Sequence, residues 1–117
     1  MNRLRILALS AILPLAACMT ATETSNPTAV DPLLDKQLVS AEGTIFILNA
    51  DGTVSGEIKG DPVVGSYTTT ATEVCSTYSA PDFLTGREYC STPVIEAGTV
   101  VFNRRDGTKS AVYAIEG

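Results

Sequence analysis

The connections between apolar segments limit most strongly what this chain can fold into, because none after Leu38 is long enough for a crossover helix. Parallel strands need a crossover of about a dozen residues or more, whereas antiparallel strands need only a short turn. We therefore predict that consecutive strands pair in an antiparallel meander. A meander of this size protects its edges by curling up. The predicted fold is all-β, with seven or eight short strands forming a small barrel or flattened sandwich.

The predicted strands are stretches of roughly five to seven residues, rich in branched and aromatic side chains and bounded by Gly, Asp, Asn or Pro. The β pattern begins near Val39, and Asp61-Pro62 is predicted to break the chain between two strands. The strand segments that follow are 44–48, 53–59, 63–67, 74–78, 87–94, 98–103 and 109–115. Strands this short leave little interior once Val, Ile, Phe and Tyr side chains fill it, so we expect a solid barrel.

Two similar hairpins lie at the beginning and the end of the strand region. The run 98–103 resembles the run 43–49, and each leads to an Asp-Gly-Thr turn, at Asp51 and at Asp106. This similarity fits an internal duplication. The simpler explanation is the ordinary composition of β-hairpin turns, in which Gly and Asp are common.

The segment Asp31–Leu38 is the one that favours a helix. Asp31 suits an N-cap and Pro32 suits the first helical position. Leu34 and Leu38 would then share one face of a helix of one or two turns. Upstream, residues 19–30 consist mainly of Thr, Ala, Ser, Asn and Pro without a hydrophobic period, which predicts a flexible tether.

The N-terminal residues carry a different pattern. Arg3 and Arg5 precede an apolar run that ends in Leu15-Ala16-Ala17-Cys18. A basic start, a short apolar run and a small-residue end are typical of a secretory signal peptide. The run is too short for the roughly 20 residues that span a bilayer. The last four residues resemble the lipobox of bacterial lipoproteins.

The resemblance implies that the Cys18 thiol receives a diacylglycerol, that the signal is cleaved before it, and that its new amine is acylated, for example with palmitate. Several acyl chains anchor stably, because each buried CH₂ contributes about 0.8 kcal/mol. The implied organisation is a signal peptide at 1–17, a lipidated cysteine and tether with a short helical turn at 18–37, and a β-barrel domain at 38–117. Met19 replaces the Asp that favours inner-membrane retention, which implies the periplasmic face of the outer membrane.

The other two cysteines are predicted to pair with each other. Once lipid occupies Cys18, Cys75 and Cys90 remain as an even pair in an oxidising compartment, where disulfides persist. The midpoint of the turn region 79–86 coincides with the midpoint between the two cysteines. In a hairpin they would therefore lie opposite each other. Two cysteines without histidine are a poor zinc site, so no metal and no cofactor is predicted.

Composition argues against several functional classes. Loss of Arg3 and Arg5 with the signal would lower the net charge from −5 to about −7, which argues against nucleic acid as a partner. The chain has no histidine, and therefore lacks the commonest general base. It also has no Gly-x-Ser-x-Gly motif and no phosphate-binding glycine loop, and its turn aspartates suit backbone capping. We predict a protein that is not an enzyme.

Two surface features are candidate partner-binding sites. The loop after Pro81 holds Phe83 and Leu84 beside Arg87, and an aromatic tip on a rigid hairpin suits insertion into a partner. In the alternative, Phe83 folds back and plugs the barrel end. Arg104 and Arg105 form a cationic turn that suits anionic lipid or peptidoglycan carboxylates, or that is simply solvated.

The predicted function is therefore that of an envelope lipoprotein that acts as a binding or structural interaction module, with another envelope protein as its partner. Two alternatives remain. The first is an inhibitor of a protease or lysozyme, because the predicted domain is similar in size and architecture to small periplasmic barrels with one disulfide that inhibit such enzymes. The sequence Gly65-Ser66-Tyr67 is similar to the Gly-x-Trp of lipocalin- and avidin-like barrels, which implies a carrier of a small apolar ligand. The tyrosines fit core positions with their hydroxyls at the rim, or a ligand-stacking lining; they are Tyr67, Tyr78, Tyr89 and Tyr113.

Overall fold

The computed structural model describes residues 26–117. Eight antiparallel strands each pair with the next, and the last pairs with the first, so the sheet closes into a barrel. The strands are β1 (Gln37–Ser40), β2 (Ile45–Leu48), β3 (Thr53–Ile58), β4 (Asp61–Thr69), β5 (Val74–Ala80), β6 (Tyr89–Glu96), β7 (Thr99–Arg104) and β8 (Tyr113–Glu116). The predicted all-β meander is confirmed, and of its two forms the chain adopts the barrel.

The meander gives the barrel two ends with different loops. The connections β2–β3, β4–β5 and β6–β7 lie at one end, together with the segment 28–36. The connections β1–β2, β3–β4, β5–β6 and β7–β8 lie at the other end. We call these the closed end and the open end, because the first is filled by side chains and a cavity opens at the second.

The segment before β1 fills the closed end. Val30 and Leu33 are 1% and 0% exposed and belong to the same core as Leu38 of β1 and Val100 of β7. Backbone hydrogen bonds fix the segment to the rim: the Ala29 amide donates to the carbonyl of residue 70 at 2.9 Å, and the amide of residue 35 donates to the carbonyl of residue 48 at 2.8 Å. The packed unit thus includes residues upstream of the predicted domain boundary at residue 38.

The short helix predicted over Asp31–Leu38 forms only in its first turn. Only a 3₁₀ turn, Asp31–Leu33, forms there, and it begins after Val30. The Asp31 carboxylate does not cap this turn; it accepts hydrogen bonds from the Thr28 amide and hydroxyl at 3.0 and 2.6 Å. Leu38 lies on β1 and points into the barrel. The helix does not continue further because residues 37–40 pair with β8 in the sheet.

Three strand boundaries also differ from the prediction. Asp61-Pro62 does not break the chain: the turn is Lys59-Gly60, and Pro62 lies inside β4 opposite Glu57. The return strand starts at Tyr89, two residues later than expected. The last strand is only Tyr113–Glu116, because Ser110 binds Phe102 through its amide and its Oγ and so takes the chain out of regular pairing.

The two Asp-Gly-Thr turns have the same hydrogen-bond geometry. In the first, the Asp51 carboxylate accepts from the Thr53 amide and hydroxyl at 3.0 and 2.6 Å. In the second, Asp106 accepts from Thr108 at 2.9 and 2.6 Å. Each hydroxyl and amide pair lowers the pKa of its carboxyl. The predicted similarity of the two hairpins thus extends to their turns, which lie at opposite ends of the barrel.

Two glycines mark places where strands approach too closely for a side chain. A Cβ at Gly56 would meet the Ile45 carbonyl, and a Cβ at Gly65 would meet the Thr77 carbonyl and the ring of Tyr78. The register of β4 against β5 shifts at Val64 and Gly65. Such a bulge increases local twist and helps a short sheet to curl into a barrel. Among the residues described, no helix has the length and apolar character needed to cross a bilayer.

We expect Leu33→Ala to lower the free energy of unfolding by about 2–5 kcal/mol, because it leaves a cavity at a fully buried position of the closed end. Chemical denaturation followed by circular dichroism measures this. Gln37→Ala, on an exposed side chain nearby, is the control and should change stability by no more than about 0.5 kcal/mol. Equal stability of the two variants would show that the segment 28–36 does not close the barrel.

Candidate functional site

The barrel is not solid, contrary to the expectation from strand length. A cavity of about 280 Å³ lies inside it and opens to solvent. Its wall includes hydroxyl side chains at inward positions where larger residues would have filled the space: Thr44, Ser76, Ser91 and Ser110. The alternation Val74-Ser76-Tyr78 in the sequence already carried this signal, because a serine between two core residues on the same face leaves a gap.

Five aromatic rings form a continuous row along the cavity wall. In order of contact they are Tyr89, Tyr78, Phe46, Tyr113 and Phe102. Their neighbouring centroids are 5.7–6.3 Å apart, and three of the four contacts are edge-to-face. Such rings are rigid and present both apolar faces and polar edges. Three of the four tyrosines thus line the cavity; Tyr67 instead donates a hydrogen bond to the Asn49 carbonyl at 2.6 Å.

The cavity wall carries hydroxyl groups in an apolar setting. Ser76, only 8% exposed, donates a hydrogen bond to the Tyr78 hydroxyl at 3.0 Å. Burial raises the pKa of Tyr78. Burial is also the main cause that raises the pKa of Tyr113, and the charge of Arg104 acts in the opposite direction. Both phenols are therefore neutral hydrogen-bonding groups at physiological pH.

The predicted disulfide is present. Cys75 and Cys90 are direct cross-strand neighbours of β5 and β6 with their Cα atoms 4.0 Å apart. They close a loop of about 15 residues, which stabilises the fold by roughly 3 kcal/mol on the chain-entropy model. Glu88 lies beside the two sulfurs. Because the sulfurs bond each other, this group offers a metal ion one carboxylate and no thiolate.

The loop closed by the disulfide places its two apolar residues in opposite environments. A 3₁₀ turn, Asp82–Leu84, forms at its tip. Leu84 is half-buried and lines the cavity, whereas Phe83 is 65% exposed. The interpretation of Phe83 as a plug is therefore wrong. Successive residues of a 3₁₀ turn point about 120° apart, so only one of the two can face the cavity.

Arg104 and Arg105 have different partners, although both line one groove outside the barrel. Arg105 faces outward and makes two hydrogen bonds of 2.7 Å, from Nε and Nη2, to the carboxylate of Glu73. These hydrogen bonds hold the pKa of the Glu73 carboxyl below its ordinary value. Arg104 is the last residue of β7 and lines the mouth of the cavity. Side chains alternate along a strand, and adjacent arginines at a strand end thus separate.

A polar groove of about 520 Å³ adjoins the cavity on the outside of the barrel. It lies between the segment Arg87–Cys90 and the turn Arg104–Thr108. All three arginines of the described chain line it, and so do Glu88 and Asp106. The Arg87 guanidinium lies 5.7 Å from the ring centroid of Tyr89, a cation–π distance. The structure therefore brings together two candidate features that are distant in the sequence.

Cys18, the signal segment 1–17 and the first part of the predicted tether lie outside the described residues. Comparison of the chain with protein-family models, curated proteins and solved structures gives no match.

Proposed function

We propose that this chain is a lipid-anchored binding protein of the bacterial cell envelope whose barrel takes up a small apolar ligand. The observation that carries this proposal is the cavity of about 280 Å³ with its row of aromatic rings. Ligand sites are typically concave, mostly apolar and supplied with a few polar groups. The barrel interior has each of these properties.

The size of the cavity sets the size of the ligand. At roughly 30 Å³ for each water-sized group, the space holds about nine such groups. A ligand of this size gains about 0.8 kcal/mol for each CH₂ that leaves water. A small hydrocarbon ring system or a short acyl chain fits, and a long membrane lipid would remain largely outside.

The chemistry of the wall supports binding over catalysis. None of the described residues that line the cavity carries a carboxyl, imidazole or thiol group. Their reactive groups are the hydroxyls of Ser, Thr and Tyr and the guanidinium of Arg104. A hydroxyl nucleophile needs an adjacent base, and this wall does not provide one.

The anchor of the proposed binding protein is Cys18. The sequence Leu15-Ala16-Ala17-Cys18, after a basic and apolar start, supports lipidation there, and Met19 supports the periplasmic face of the outer membrane. The chain from Cys18 enters the barrel at its closed end, where the segment 28–36 packs. On this proposal, the ligand is a molecule of the envelope.

Filling the cavity should abolish ligand uptake. Ser91 faces inward and lines the cavity, whereas Thr92 next to it is exposed on the outer face. We expect Ser91→Leu to weaken binding of naphthalene at least about tenfold, because the larger side chain occupies space that apolar groups would bury. Fluorescence titration of the full chain in lipid nanodiscs, corrected with empty nanodiscs, measures the affinity. Thr92→Leu makes the same change outside the barrel and should bind as the wild type does. Equal binding by the two variants would contradict the proposal.

Lipidation has its own test. In bacteria labelled with radioactive palmitate, the wild-type chain should carry label and sediment with membranes, and Cys18→Ser should lose both properties. A chain with Cys75→Ser and Cys90→Ser is the matched control, because it lacks the other two thiols and should remain labelled. Label that persists in the Cys18→Ser chain would refute the anchor.

A second candidate function is docking on another envelope protein, including a hydrolase that the docking would inhibit. The exposure of Phe83 on a disulfide-closed loop favours it. An aromatic side chain held at 65% exposure gains a large apolar contact area when a partner covers it. A closed loop also loses little entropy on binding.

Docking through the loop predicts that Phe83→Ala loses a partner. Crosslinking in native envelope membranes should capture a defined protein with the wild type and with Ile95→Ala, which alters another exposed apolar residue, on β6. We expect capture to fall at least about tenfold with Phe83→Ala. If the captured protein is a hydrolase, stoichiometric loss of its activity identifies inhibition. Unchanged capture with Phe83→Ala would exclude the loop tip as the docking site.

A further inference from the structure

We infer that the ligand of this barrel is a small amphipathic anion, with a short apolar chain inside the cavity and a carboxylate at Arg104. This inference rests on the proposed ligand-binding function and adds the chemical class of the ligand. It follows from the way the cavity and the outer groove meet at one cation.

Arg104 and Tyr89 belong to both spaces. Each lines the apolar cavity, and each also lines the polar groove between the segment Arg87–Cys90 and the turn Arg104–Thr108. A molecule that fills the cavity would therefore place its outer end beside a guanidinium and a phenol. Because the apolar cavity continues into a polar groove, it suits a ligand with an apolar chain and a polar head.

The Arg104 guanidinium is available to a ligand. Within residues 26–117, no carboxylate lies at ion-pair distance from it, and its described hydrogen bond goes from Nη1 to the Thr108 hydroxyl at 3.2 Å. The neighbouring Arg105 is different, since both of its hydrogen bonds to Glu73 use the guanidinium edge that a carboxylate ligand would need. The guanidinium group has five donors and binds carboxylates in a planar, two-point geometry.

Two phenols add neutral donors near this cation. The hydroxyls of Tyr89 and Tyr113 make no hydrogen bond to another group of the described residues, although both side chains line the cavity. A hydroxyl in such a position can donate to a carboxylate oxygen. The mouth therefore offers one charged and two neutral donor groups to the head of a ligand.

The charge at the mouth suits an anionic head group. Arg104 is the one cation among the described residues that line the cavity. The groove outside it is lined by Arg87 and Arg105 as well as by Glu88 and Asp106. A carboxylate matches the planar, two-point donor geometry of the Arg104 guanidinium.

The length of the apolar part follows from the volume. Space for about nine water-sized groups corresponds to an acyl chain of about eight carbons with its head at the mouth. Affinity should therefore rise about fourfold for each added methylene until the cavity is full. Beyond that length further methylenes remain in water and add nothing.

The test compares octanoate with 1-octanol, which has a chain of the same length and a neutral head. Calorimetric titration uses the full chain in lipid nanodiscs at neutral pH, with empty nanodiscs as the reference. We expect octanoate to bind the wild type at least about tenfold more tightly than octanol does, because a charged hydrogen bond exceeds a neutral one. Arg104→Gln should remove this preference and leave octanol binding within about twofold. Arg104→Lys should retain part of it, because the charge remains.

Lys59→Gln is the matched control. It removes one positive charge from an exposed turn that lines neither the cavity nor the groove, and should leave the preference for octanoate unchanged. If octanol and octanoate bind the wild type equally, or if Arg104→Gln keeps the preference, the inference falls while the ligand-binding function stands. If neither compound binds, the proposed function itself falls.

A series from hexanoate to dodecanoate tests the length limit. We expect affinity to increase from hexanoate to octanoate and to level off between octanoate and decanoate. An increase of about fourfold per methylene that continued through dodecanoate would show that the chain lies on a surface and not in a closed cavity. That result would overturn the assignment of the chain to the barrel interior.

Discussion

Four residue pairs join β1 to β8, from Gln37 opposite Glu116 to Ser40 opposite Tyr113. Without this ladder the meander would have two open edges, and its apolar face would be in contact with water. Because this ladder closes the sheet, alternate side chains along each strand point into the barrel and out to solvent. Val30 and Leu33 then close one end of the inside. The cavity and the position of Arg104 in its wall both depend on this closure.

The sequence predicts the sheet better than the space inside it. Short turns and period-two alternation identify the antiparallel meander, and the symmetric spacing of Cys75 and Cys90 about their loop correctly predicts that they face each other. Strand length alone does not predict the cavity, because it does not determine how full a barrel is. Its volume depends on which inward positions are small, such as Ser76 and Ser91, and that requires the register of every strand.

The extent of the helical turn before β1 likewise depends on distant parts of the chain. Asp31-Pro32 favours a helix start locally, and a 3₁₀ turn does form there. How far it continues depends on the pairing of residues 37–40 with the far end of the chain, which no local pattern contains. The same holds for the arginine pair. Arg104 is the last residue of β7, whereas Arg105 forms an ion pair with Glu73, on a turn that is distant in the sequence. The sequence around the two arginines does not contain this difference.

The ladders of the barrel differ in length, and the disulfide strengthens one of the short ones. Three residue pairs join β5 to β6, and Cys75 opposite Cys90 is the middle pair. Only two regular pairs join β7 to β8, and the amides of Ser110 and Ile115 add hydrogen bonds to the carbonyls of Phe102 and Gly98. Local opening begins where few backbone hydrogen bonds hold, so we expect the β7–β8 seam, which has no disulfide, to open before the β5–β6 seam. Tyr113 lies on the β7–β8 seam. When the barrel opens locally, we therefore expect the cavity wall beside Tyr113 to open before the loop that carries Leu84.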